Sequence, residues 1–401
     1  MKILMLGWEF PPVYSGGLGT ACYGLTKGLS KTDVEVTFVM PTGPDNIKGE
    51  FVNLIVADKL LKKLNVKKVE TILTPYLSSE AYKDEYLRIM KKGNEGILYG
   101  RDLFEEVLRY SERVKLISMD EEFDVIHAHD WMTYKAGIKA KNATGKPLVV
   151  HIHATEFDRT GGNNLNQQVY DLEREGFHTA DKIIAVSNYT KSIVVRHYGI
   201  KPDKVVVVHN AVEFNEKVVY NIKKTDKVVL FLGRITLQKG PDYFLEAARK
   251  VLKKDSNIKF VFAGSGDMET RMIERAAEMG ISKKVLFAGF LKGKDVNKAY
   301  QMADVYVMPS VSEPFGITPL EAMRSGTPVI ISKQSGVSEV INHVLKVDFW
   351  DVNDIASKIL AVINYRTLTH ELKHHGSLEV LKFDWKIPAK KCAKVYEGVA
   401  K

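Results

Sequence analysis

Cysteine is scarce in this chain. Two of its 401 residues are cysteine, Cys22 and Cys392, far apart and without a CxxC pair or a His/Cys string. That excludes a disulfide framework and a thiolate zinc site, and it fits a reducing compartment. Long apolar runs are missing too. The longest are about five residues, where a membrane-spanning helix needs roughly 20. The N-terminus lacks the apolar core and small-residue cleavage site of a secretory signal, so a cytoplasmic protein is expected. Low-complexity segments and short-period repeats are absent. A strong charge excess is absent as well: 58 basic against 49 acidic residues give +9, spread along the chain. Such runs read as solvated helix faces or as attraction to anionic ligands, nucleic acid or lipid headgroups. The first reading is taken here, with no nucleic-acid partner expected.

What the chain does have is alternation. Short β-branched runs at 2–6, 35–40, 125–129, 147–151, 182–186 and 204–208 are strand candidates. A second series follows at 227–232, 259–263, 285–288, 305–308 and 328–331. Helical stretches lie between most of them, for example 17–29, 242–254, 268–279, 294–302 and 318–325. Continuously apolar strands are buried on both faces, and strand–helix alternation means parallel sheets with crossover helices. The expected fold class is therefore α/β, with two Rossmann-like domains whose parallel sheets face a cleft. Residues 1–214 form the first domain and 215–375 the second, with a terminal helical segment at 376–401. The polar stretch 215–227 marks the boundary, and residues 47–113 read as an insertion.

Open parallel sheets bind ligands beyond the carboxyl ends of their strands, and the informative residues fall there. "GRITLQKG" places Arg234 and Lys239 after a buried strand. Fixed cations there suit a phosphate or an anionic leaving group; the alternative is two solvated charges in a turn. "PSVSEPFGITPLEAM" carries Glu313 and Glu321, with seven residues between them, around a Pro-Gly turn. Thr318 is expected as N-cap and Pro319 as the first helical residue. Gly316, Ile317 and Thr318 would then present backbone N–H groups as an anion site. Glu321 falls in the first turn, as a ribose ligand or a simple helix-end charge. "VIHAHDW" and "HIHATEFD" bring His127, His129, Asp130, His151 and His153 to strand ends. Each histidine pair is expected to split between opposite strand faces, so that one of each reaches the cleft. No Asp-x-Asp occurs, and no H-x-x-x-H or HExxH arrangement is read in the chain, so no metal site is expected. Gly264 in "FAGSGD" reads equally as a ligand loop or a helix cap. Phe290 and Leu291 lie in a loop able to hold a planar base through its backbone. In the opening stretch, Gly16 and Gly17 of "YSGGLGT" form either a ligand-approaching loop or a plain tight turn.

Together, "GRITLQKG", "FAGSGD", "FAGFL", "ADVYVMPSVSEPFGITPLEAMRSGTPVI" and the C-terminal "FDW" resemble retaining glycosyltransferases of family 4, which have the two-Rossmann GT-B fold. "HAHDW" and "EFPPVYSGGLGT" also resemble the related family 5 glycogen and starch synthases. The resemblance covers nearly the whole chain. It implies a UDP-, ADP- or GDP-sugar donor, a glycan or small-sugar acceptor, and no cofactor. Arg234 and Lys239 would stabilise the leaving diphosphate, with Gly316–Thr318 cradling its distal phosphate. Glu321 would hold the ribose and Glu313 the sugar hydroxyls. His153 would lie near the reacting carbon, Asp130 would hold hydroxyls, and Asn210 of "HNAV" would sit beside the cleft. The last helix would cross back to the first domain. Family 5 enzymes carry Lys-x-Gly-Gly in the opening loop, whereas this chain has Tyr14-Ser15-Gly16-Gly17, which favours family 4.

The expected activity is retaining transfer of a hexose, glucose first, to a glycan or small-sugar hydroxyl. A lipid- or polysaccharide-directed family 4 enzyme is the alternative; its lipid form would use basic stretches such as 59–68 for peripheral membrane contact. A non-catalytic sugar-binding relative, another two-Rossmann enzyme, a glycosidase and a dinucleotide oxidoreductase are weaker readings. The oxidoreductase would need a full GxGxxG. The sequence does not name the base, the acceptor or the oligomeric state.

Overall fold

The computed structural model describes residues 1–11, 16–43, 49, 51–58, 103–214, 220 and 226–400. Tyr14, the 59–68 stretch and most of 215–227 lie outside them.

Two parallel sheets organise the chain. The first holds β1 (Lys2–Leu6), β2 (Glu35–Met40), β3 (Asn53–Val56), β4 (Val125–His129), β5 (Leu148–Ile152), β6 (Lys182–Ala185) and β7 (Val205–Val207). Their order is β3-β2-β1-β4-β5-β6-β7. The second holds β8 (Lys227–Leu232), β9 (Ile258–Ala263), β10 (Val285–Phe287), β11 (Val305–Met308), β12 (Val329–Ser332) and β13 (Leu345–Val347). Their order is β10-β9-β8-β11-β12-β13. In each sheet the chain runs outward from a central strand, then returns to its other side. The carboxyl ends of β1 and β4, and of β8 and β11, therefore flank a crevice, the switch point where such sheets bind ligands.

The central strands are buried because helices cover both faces: β4, β5 and β11 are buried at every residue. Edge strands β3 and β13 are partly exposed. β13 carries no continuous apolar run, so the sequence pattern does not announce it; β3 carries Leu54-Ile55-Val56 but falls inside the stretch read as an insertion. Helix Gly17–Leu29 and strands β1, β2, β4, β8 and β11 coincide with their expected bounds.

The terminal helix Lys386–Val399 packs against Gly17–Leu29. Trp385, Ala389, Cys392, Val395 and Tyr396 are buried in the first domain's core, so the chain's end belongs to the domain of its beginning. Both cysteines are buried and free.

Gly264, after β9, is fixed by backbone approach. Its N–H donates to the Gly289 carbonyl at 2.8 Å. Its φ is 141°, and a Cβ there would lie 1.9 Å from the Gly233 carbonyl oxygen. Gly264→Ala is therefore expected to cost more than about 3 kcal/mol, because backbone cannot move aside as a flexible side chain can. Urea unfolding checks this, and a wild-type midpoint would contradict the close approach.

Candidate active site

The second domain's crevice is built on the loops after β8 and β11. Lys239, Ser310 and Thr318 line a recess there with Tyr306 and Met308. The Lys239 ammonium pairs with the Glu313 carboxylate. Glu313 also accepts from the Ser310 hydroxyl at 3.2 Å. Arg234 Nη2 donates to Gln238 Oε1 at 2.9 Å, which orients the guanidinium.

Helix Ile317–Arg324 starts two residues earlier than the expected cap and first helical residue. Gly316, at φ 99°, is its N-cap, and no side chain caps it. Thr318 is inside the helix, where its hydroxyl accepts from Tyr306 at 2.8 Å. The expectation of a Thr318 cap fails because glycine can adopt a positive φ that delivers the chain into the helix directly. With no side-chain oxygen occupying them, the N–H groups of Ile317 and Thr318 stay available to an anion. Glu321 consequently lies beyond the first turn. Burial raises its carboxyl, against the Tyr300 hydroxyl that donates to it at 2.9 Å.

The first domain's crevice is built on the loops after β1, β4 and β5. Asp130 follows β4 at φ 60° and ψ 168°, a conformation rare outside glycine. Its Oδ1 accepts from the backbone N–H of His153 at 2.6 Å and of Ala154 at 3.3 Å. The carboxylate thus positions the loop that carries His153. That loop is closed by a capping box between Thr155 and Asp158.

His127 and His129 do not split between strand faces. Residues two apart share a face, and the expected split applies to neighbours one apart. The rings of His127 and His129 lie 4.2 Å apart, and those of His151 and His153 4.4 Å apart. Register sets His129 directly beside His151 on the paired strands, so the four imidazoles form one cluster. His129 Nδ1 and His153 Nε2 are 2.9 Å apart. Burial lowers all four pKa values; for His153 the Asp130 charge opposes the shift.

Glu9, two residues past Gly7 in the loop after β1, escaped the sequence reading. It is fully buried, and its Oε2 accepts from the Gly16 N–H at 2.8 Å. A Cβ on Gly16 would lie 2.7 Å from that oxygen, which gives Gly16 a structural reason; Gly17 faces open space. Burial pushes the Glu9 carboxyl up to about 7, against the Gly16 N–H and the Arg234 charge. Unfolded, the group returns to the ordinary carboxylate range. The folded state holds a proton that the unfolded state has lost between those values. The contribution is thus complete at low pH and is lost as pH rises through about 7, by on the order of 3 kcal/mol. Glu9→Gln keeps an acceptor for Gly16 without the charge. Its melting temperature relative to wild type should be more favourable at pH 8 than at pH 5. A pH-independent difference would refute the buried-charge account.

The two crevices meet across direct contacts. Ser312 donates to Asp158 Oδ1 at 2.6 Å, and Ser187 donates to the Pro314 carbonyl at 2.5 Å. Glu339 accepts from the N–H groups of Asn188 and Tyr189 at 3.0 and 2.6 Å. The first joins the His153 loop to the Glu313 loop, and the others tie the loop after β6 to Pro314 and Glu339. None has a local sequence signature, because each pairs residues more than a hundred positions apart. Asn210 is buried just past β7, Leu291 is partly buried, and Phe290 is exposed with the Lys292 ammonium 5.6 Å from its ring.

Two parallel α/β domains with their switch points facing each other make the two-Rossmann GT-B architecture. Residues 15–216 match the model of Glycosyltransferase Family 4, and residues 212–377 match that of Glycosyl transferases group 1. An uncharacterised glycosyltransferase of Methanocaldococcus jannaschii is 32% identical, over 99% of this chain and 98% of its own length. A glycogen synthase of Mycobacterium tuberculosis is 26% identical, over 99% and 94%. The solved sucrose-phosphate synthase of Thermosynechococcus elongatus superposes with a TM-score of 0.77 at 19% identity, covering 99% and 98%. The chain belongs to glycosyltransferase family 4. Among the described residues, no helix is long and apolar enough to cross a membrane.

Proposed function

We propose that this enzyme transfers a hexose, glucose first among candidates, from a nucleoside-diphosphate sugar to a hydroxyl of a glycan or small sugar, with retention and without a catalytic metal. The observation that carries this is the Lys239–Glu313 pair, set beside the uncapped N–H groups of Ile317 and Thr318 at the second sheet's switch point. Negative charge grows on the diphosphate as the sugar leaves, so cations and amides already aimed there stabilise the transition state more than the ground state. Lys239 and Arg234 meet the diphosphate, Gly316–Thr318 cradle its distal phosphate, and Glu321 takes the ribose. Glu313, held by Lys239, contacts sugar hydroxyls. Gly264, Phe290, Leu291 and Asn210 bound the nucleotide side. His153, held by Asp130, lies toward the reacting carbon, and Gly16–Gly17 close over the diphosphate from the first domain. The acceptor hydroxyl's proton passes to the departing phosphate. The glycogen synthase relative supports glucose, and Tyr14 in place of the donor-side synthase lysine counts against the exact synthase chemistry and an ADP-glucose donor.

A panel of UDP-, ADP- and GDP-sugars tests the reading. One donor is expected to raise the melting temperature and to release nucleoside diphosphate when saccharide acceptors are supplied. If no donor stabilises the protein or turns over, the assignment fails.

A further inference from the structure

The cluster under the first crevice has a feature that sugar transfer does not use. Four ring nitrogens in it are buried without a partner: His127 Nε2, His129 Nε2, and both nitrogens of His151. An unmet buried polar atom costs roughly 1–3 kcal/mol, so four in one place call for a ligand. One ring nitrogen from each of His127, His129 and His151 lies within 4.8 Å of the others.

The outward nitrogens are spoken for. His127 Nδ1 is 2.7 Å from the Tyr396 hydroxyl, and His129 Nδ1 is 2.9 Å from His153 Nε2. When Nδ1 carries the proton and donates it outward, Nε2 presents a lone pair inward. This is the arrangement of metal-bound histidine, whose second nitrogen donates to an oriented partner. Nitrogens on one tetrahedral zinc ion stand about 3.4 Å apart, so ion binding would draw the three rings together from their present spacing. Cys22 forms an overlapping trio with His129 and His153, also within 4.8 Å.

We propose that His127, His129 and His151 bind one divalent transition-metal ion of the imidazole-preferring class, such as Zn²⁺. The ion fixes His129 and, through its Nδ1–H, the tautomer of His153. It also ties the terminal helix to β4 through Tyr396. No transfer step passes through it.

A rival string exists in the sequence. His370-Glu371-Leu372-Lys373-His374 is a His-Glu-x-x-His sequence that the expectation of no metal site passed over. It lies on helix Arg366–Glu379, with the His370 side chain 76% exposed and Glu371 paired to His375 at 3.0 Å. No third ligand joins it among the described residues.

The test is titration of the tag-free full chain with Zn²⁺ and Co²⁺, followed by gel filtration and elemental analysis. Wild type is expected to retain one equivalent, and Co²⁺ to give visible bands of nitrogen ligation. His127→Gln/His151→Gln should lose at least nine-tenths of the metal, while His370→Ala/His374→Ala keeps it. Absence of stoichiometric metal and of Co²⁺ bands in wild type overturns the proposal, whatever the variants do. So does full retention by the buried-pair variant, or loss confined to the surface pair. Mg²⁺ is expected to leave the melting temperature unchanged where Zn²⁺ raises it.

Discussion

Lys239→Ala is expected to lower kcat/KM for sugar transfer by roughly 10²–10³-fold, the usual effect of removing one preorganised donor from a developing anion. The loss should fall mainly on kcat, since the leaving diphosphate demands most from the ammonium in the transition state. A stability cost should accompany it. The Glu313 side chain is only 8% exposed, and without Lys239 its carboxylate keeps the Ser310 hydroxyl as its remaining side-chain donor. An uncompensated, largely buried charge of this kind costs roughly 2–4 kcal/mol. The two effects separate in the double variant. Lys239→Ala/Glu313→Gln should recover most of the stability and none of the activity. Thermal unfolding and nucleoside-diphosphate release, measured on the same preparations, decide the matter. A folded Lys239→Ala enzyme with wild-type turnover would remove Lys239 from the mechanism.

Asp130→Ala is expected to be comparably severe for a different reason. The carboxylate accepts two backbone N–H groups of the His153 loop, and its own residue sits at φ 60°. Alanine leaves both amides without that acceptor, for roughly 2–4 kcal/mol. It also lets His153 drift from its approach to the sugar, where a displacement of about 1 Å costs around 10²-fold in rate. Asp130→Asn retains an acceptor oxygen and tolerates positive φ, so it should stay within about tenfold of wild type and near its stability. An Asn variant as inactive as the Ala variant would instead assign Asp130's charge directly to the substrate. If Asp130→Ala proved as stable and active as wild type, the loop-positioning account would be lost.

Much of this architecture is legible because its causes are local. A buried parallel strand is as a rule apolar on both faces, and that alone locates β1, β8 and β11. The helix Gly17–Leu29 is bounded by glycine and by the end of its apolar pattern. Where the reading missed, a competing rule governs. Glycine's freedom at Gly316 displaced Thr318 from the cap. The period of two, misapplied, sent paired histidines to opposite faces. Edge strand β13 is too short and polar to leave a pattern, and β3 fell inside the stretch read as an insertion.

The sequence by itself determined the fold class and the strand-end positions of Arg234, Lys239, Glu313, Asp130 and His153. These follow from periodicity and turn chemistry, which act over a few residues. The tertiary structure alone decided which groups meet. It paired Lys239 with Glu313, turned Asp130 inward to the His153 loop, laid Glu9 beneath Gly16, and set His129 beside His151. Those contacts depend on strand order, register and domain docking. Burial is fixed there for the whole molecule at once, and no local pattern encodes it.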